Sequence, residues 1–145
     1  MLISVGRKLS VVMLLACMAC ASPEKWETMD DVAIRMNGLP LEGQWKIYLE
    51  NNQKIHPPRT GLSNIIAKGG KPAAYFVAEQ ARETNNVLDI RDSLMVFRSM
   101  QYAKYYDVCG DKYLMDGINR NGDRISKSVW APVYKKLAAE MCDSH

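Results

Sequence analysis

Apolar side chains recur at intervals of three and four along most of this chain, and no stretch rich in β-branched residues alternates apolar with polar as a half-buried strand does. The longest stripe, Ile90, Leu94, Phe97 and Met100 or Gln101, predicts a helix over about residues 88–104. Pro72 suits a first helical turn, and behind it Ala73, Phe76, Val77, Gln80 and Ala81 predict a helix running to Glu83, with Asn85-Asn86 as the turn between the two. Thr28 and Asp31 have the spacing of a capping box for a short first helix that Asn37-Gly38 ends. Leu41, Trp45, Tyr48 and Leu49 share a face behind Pro40; Asn51-Asn52 is expected to stop that helix, and His56-Pro57-Pro58 to form an extended corner. Leu62, Ile65 and Ile66 predict a short helix closed by Gly69-Gly70. After the break at Cys109-Gly110, Asp111 is placed to cap a segment carrying Tyr113, Leu114 and Ile118. Asn121-Gly122-Asp123 reads as a turn, and Ser126 as the cap of a last helix with Val129, Val133 or Tyr134, Leu137 and Met141. The expectation is an all-α domain over residues 28–145: a compact bundle or short superhelix of six or seven helices. A chain of 145 residues allows one such domain, and about 120 folded residues suffice for a single core.

The N-terminal segment is of a different kind. Arg7 and Lys8 precede the apolar stretch Leu9–Ala16, which is far short of the roughly 20 residues needed to span a bilayer. Bases, a short apolar run and then small residues make an export signal. The tetrad Leu14-Leu15-Ala16-Cys17 resembles the lipobox of bacterial prolipoproteins. That resemblance implies a diacylglyceryl group on the Cys17 thiol, cleavage before Cys17, a leader over residues 1–16 and an acylated tether over residues 17–27. Met18, where an Asp would retain such a protein in the inner membrane, implies the periplasmic face of the outer membrane. Plain secretion is the alternative, with cleavage after the A-x-A-like Ala19-Cys20-Ala21. If Cys17 is acylated, Cys20 is left over in the tether.

Cys109 and Cys142 are the remaining cysteines. In an exported chain an even pair reads as a disulfide; in a retained one, as two buried thiols. Zinc is not expected, since there is no C-x-x-C pair and the two histidines stand far apart.

Residues 71–100 resemble a single HEAT-type helical hairpin. Pro72-Ala73-Ala74 matches the start of its first helix, Asp89 its turn, and Ile90-Arg91 the hydrophobic–Arg pair that opens its second. The resemblance covers about a fifth of the chain, without a second copy, and implies antiparallel helix pairs and a binding role.

Charge excludes one class of partner. Of 19 basic residues Arg7 and Lys8 leave with the leader, so 17 remain against 16 acidic ones, too even a balance for nucleic acid. Gly69-Gly70-Lys71 has neither the preceding strand nor the trailing Ser/Thr of a phosphate loop, so no nucleotide is expected. Asn119-x-Asn121-Gly122-Asp123 fails as a calcium loop, because Gly117 and Ser128 fall where carboxylates are required. No metal or other cofactor is expected. The most suggestive surface is aromatic: Tyr102, Tyr105, Tyr106 and Tyr113, with Lys104 and Lys112 interleaved, form either a partner-binding patch or, for Tyr102 and Tyr106, an extension of the core stripe. Arg82, Arg91 and Arg98 are expected in ion pairs with the acidic residues nearby. Together these features suggest a lipid-anchored envelope protein that binds another envelope protein, as an adaptor or as a protective inhibitor of a toxin or hydrolase. Two other readings stay open. One is a small periplasmic enzyme using His56 with Asp107, Asp111 or Glu140, although no catalytic set is recognisable. The other is a structural component of the envelope.

Overall fold

The computed structural model describes residues 27–54 and 59–143. Cys17, Cys20, His56 with its prolines and His145 lie outside the described residues, and so do the readings that rest on them.

Short polar side chains write the helix starts. Thr28 Oγ1 accepts the Asp31 amide at 3.1 Å while the Asp31 carboxylate accepts the Thr28 amide at 3.0 Å, opening α1 (Met29–Asn37). Asn86 accepts the Leu88 amide at 3.0 Å at the head of α5 (Val87–Tyr102), and Asp111 accepts the amides of Tyr113 and Leu114 at the head of α6 (Lys112–Arg124). Between them lie α2 (Leu41–Lys54), a 3-10 turn at Thr60–Leu62, α3 (Ser63–Ala67) and α4 (Gly70–Glu83); α7 (Ala131–Asp143) completes seven helices, with no strand among the described residues. The all-α expectation holds.

The hub is α5, which packs against α2, α3, α4 and α7. Its stripe buries Ile90, Leu94, Val96, Phe97 and Met100, each of which contributes about 1.5–3 kcal/mol on leaving water. Small residues on α4, Ala73, Ala74, Val77 and Ala81, form its buried face. Gly70 sits at φ +58° at the head of α4, and a Cβ there would lie 3.3 Å from the Tyr105 carbonyl oxygen, so the α5–α6 connection runs directly over it. Within that connection Lys104 holds φ +57° without being a glycine. Cys109 is bonded to Cys142, with Cα atoms 5.7 Å apart, tying the connection to the end of α7.

Three expected boundaries move. Asn51-Asn52 does not stop α2, because both amides have partners with the helix continued: Asn51 donates to the Ile47 carbonyl of the same helix at 3.0 Å and Asn52 across to Asp92 Oδ1 on α5 at 2.7 Å. Asn121-Gly122-Asp123 is not a turn but the penultimate stretch of α6. The ring of Tyr134 lies 3.5 Å from where a Gly122 Cβ would stand, and its hydroxyl donates to the Ile118 carbonyl at 3.2 Å. Ser126 caps nothing; α7 begins at Ala131 with Pro132 in its first turn, Val129 and Val133 are exposed, and Tyr134 takes the core position.

Candidate functional site

On the outer side of α4, Lys71, Tyr75, Glu79 and Arg82 follow one another at intervals of four, four and three, opposite the buried alanines. Packing of α4 on α6 brings this stripe against Tyr113 and the segment before it. The rings of Tyr75 and Tyr113 stack, with centroids 5.2 Å apart and planes at 15°, and the Lys71 ammonium lies 5.4 Å over the Tyr75 ring.

Two carboxylates hold the rings still. Asp111 accepts the Tyr106 hydroxyl at 2.8 Å and the Tyr75 hydroxyl at 3.0 Å besides its capping bonds, and Glu79 accepts the Tyr113 hydroxyl while pairing with Arg82. Partial burial alone would raise the Asp111 carboxyl, but the bonds from Tyr106, the Leu114 amide, Tyr75 and the Tyr113 amide outweigh it and hold it below the usual carboxylate range. Glu79 is lowered by the Tyr113 and Arg82 bonds. Their acids shift downward on folding, so this contribution to stability is present above the ordinary carboxylate pKa and is lost as pH falls through the folded values. The phenols move the other way. The bond to Asp111 pushes Tyr106 up to about 12 and raises Tyr75, and the bond to Glu79 raises Tyr113. At neutral pH these hydroxyls are fixed donors, suited to holding a surface in shape and ill suited to taking a proton.

Asp111→Asn keeps a capping oxygen and removes the charge. Its Tyr106 phenol is expected to titrate well below about 12, back toward the usual tyrosine value, in an ultraviolet pH titration. An unchanged titration would remove Asp111 as the organiser of the cluster.

The tyrosines and lysines singled out in the sequence are divided. Tyr106 and Tyr113 join the cluster; Tyr75, which sequence reasoning missed, completes it. Tyr105 is exposed beside Lys104, on the connection that crosses Gly70 and so adjoins Lys71. Tyr102 is also exposed and does not extend the core stripe: it lies under the Arg98 guanidinium, 5.3 Å from its centroid, accepting the Arg98 N–H at 3.1 Å, and faces α7. Lys112 turns along α6 to Asp116 at 2.7 Å. Of the carboxylates considered for acid–base work, Asp107 accepts the Gly110 amide at 3.0 Å and Glu140 faces Lys136 at 3.7 Å on α7. Arg82 and Arg91 pair as expected, Arg82 with Glu79 and Arg91, turned inward under cover of the Trp130 ring at 4.6 Å, with Asp92 at 2.6 Å; Arg98 lies on Tyr102 instead.

Among the described residues no group of three His, Cys, Asp or Glu side chains is placed to hold a metal ion, and no helix is long and apolar enough to cross a membrane. No protein-family model, no curated protein and no solved structure matches this chain.

Proposed function

We propose that this chain is an envelope lipoprotein, anchored through Cys17, whose helical domain binds another envelope protein as an adaptor or inhibitor, using the tyrosine-lined face of α4 and α6. One observation carries the reading: Tyr113 is 42% exposed and yet stacked on Tyr75 and tied by its hydroxyl to Glu79. A large exposed ring that is already immobile loses little freedom on binding, which is the property of an interface anchor. The Cys109–Cys142 bond favours an oxidising compartment, and the lipobox-like tetrad favours attachment there. The pairing of α4 with α5 across a three-residue turn suits a HEAT-like unit.

Two variants test it in bacterial cells. Cys17→Ser is expected to keep the leader, lack added acyl mass in an intact-mass spectrum and leave the detergent-soluble membrane fraction. Tyr105→Ala/Tyr113→Ala in the acylated protein is expected to retain anchoring and to lose at least about tenfold in recovery of the cross-linked partner, the scale of losing one interface anchor. A Cys17→Ser protein with the parent's mass and location would overturn the anchor, and equal recovery by the tyrosine variant would overturn the binding face.

A further inference from the structure

The carboxylates of this face are spent internally, whereas one cation beside them, Arg120, bonds to no other described residue. Asp111 and Glu79 take bonds from tyrosine hydroxyls, backbone amides and Arg82. Next to them, between α4 and α6, a cleft of about 250 Å³ is lined by Arg82, Arg120 and Arg124, with Tyr113 as one wall and Ala78 and Gly117 leaving room at its base. Arg124 is held in place by the end of α4. Its Nη1 donates to the Ala81 carbonyl and to Asn121 Oδ1, both at 2.8 Å, and its Nη2 to the Thr84 carbonyl, where the helix dipole favours a cation. Arg82 is shared between Glu79 and Glu83. Arg120 makes no hydrogen bond or ion pair with another described residue, although it lines the cleft and its charge is felt by the Tyr113 phenol.

We infer that this cleft reads an acidic segment of the partner protein by accepting one Asp or Glu side chain in a fork between Arg120 and Arg82. The inference rests on the reading that this face meets a protein. The volume is below the roughly 300 Å³ at which small-molecule pockets begin, and suits a single side chain. Guanidinium groups are the planar donors that take a carboxylate bidentately, and the adjoining Tyr75–Tyr113 stack supplies the aromatic contact that partners arginine at interface centres. Lys71, on the far side of the stack, extends the same sign of charge. A carboxylate entering here completes Arg120 without displacing any bond already made.

The test uses the full-length chain in non-ionic detergent and fluorescein-labelled hexaglutamate at low ionic strength, read by fluorescence anisotropy. Saturable binding is expected, weakened about tenfold by Arg120→Gln, the scale of one hydrogen bond to a charged group. Lys135→Gln removes the same charge from α7 and is expected to change nothing. Inorganic phosphate in tenfold excess is expected not to displace the peptide. Arg120→Gln should melt with the parent, because Arg120 makes no hydrogen bond or ion pair with another described residue. Gly117→Leu gives a steric version of the test: a Cβ there meets only the Arg120 Nη2, at 4.0 Å, so the added side chain enters the cleft and should abolish binding. Absence of saturation, equal weakening by Arg120→Gln and Lys135→Gln, or displacement by phosphate would each overturn the inference. Recovery of an envelope partner by the parent and undiminished recovery by Arg120→Gln would overturn it while leaving the proposed function standing. Peptide binding with the expected pattern, but with no partner recovered from cells, would leave the cleft standing and remove the proposed function.

Discussion

An Asp92→Ala chain is expected to lose about 3–5 kcal/mol of stability, the scale of breaking a buried ion pair by removing one partner. The Asp92 side chain is fully buried on α5, and its oxygens accept Arg91 at 2.6 Å, Asn52 at 2.7 Å and Gln53 at 3.1 Å. The alanine leaves a guanidinium that is only 14% exposed and the Asn52 amide without their acceptor, while Gln53 keeps its bond to Asp89 at 2.8 Å. Arg91 also covers Trp130, just before α7, so the loss reaches two junctions of the hub helix. Burial, the largest influence, pushes the Asp92 carboxyl above the usual carboxylate range, while Arg91, Gln53 and Asn52 pull it back. With a folded pKa above the unfolded one, this carboxyl adds most stability below its unfolded pKa, and that share is lost as pH rises through the folded value. Urea unfolding at two pH values checks both statements: the midpoint of Asp92→Ala should fall with no change in slope, and the parent's pH dependence in that window should shrink in the variant. An alanine variant within 1 kcal/mol of the parent, on the scale of an exposed pair, would show that the network is spare.

The second large effect belongs to the bridge. Cys109→Ser/Cys142→Ser should lose about 3–4 kcal/mol, the chain-entropy value for a closed loop of this size, since the bonded residues stand 33 apart. The loop encloses all of α6 and most of α7, so the gain lies in restricting the unfolded chain over that whole stretch. In the folded state α7 keeps Tyr134 and Met141 in the core, and the serine variant should retain its helical circular dichroism at low denaturant. Reducing the parent with a dithiol should reproduce the variant's midpoint. Coincident unfolding curves for parent and variant would remove the bridge as a source of stability.

What the sequence reveals here depends on how far apart the partners are. Helix starts at Thr28 and Asp111 depend on residues within three positions, and the stripe of Ile90, Leu94 and Phe97 is periodic in itself. The errors share the opposite cause. Asn52 looks like a helix stop until Asp92, 40 residues on, takes its amide, and Gly122 looks like a turn until the Tyr134 ring is laid on it. Ser126 offered a cap, but Pro132 was the stronger start signal and stood six residues later. The site was half legible for the same reason. Tyr106, Tyr113 and Asp111 are close in sequence, whereas Tyr75 reaches Asp111 across 36 residues. A signal for it did exist: Lys71, Tyr75, Glu79 and Arg82 form a second stripe on a helix already identified by its first. The cleft arginines were hidden by the misplaced turn, because Arg120 and Arg124 share a face only if α6 continues past Gly122.

The left-handed residue at position 104 has a consequence of its own. A turn of that shape forms most cheaply around glycine, and any other L-residue gives up about 1–2 kcal/mol to make it. Placing lysine there trades that energy for an ammonium at the crest of the crossing, next to the exposed ring of Tyr105. Glycine at 104 would therefore yield a sturdier domain with a blunter edge.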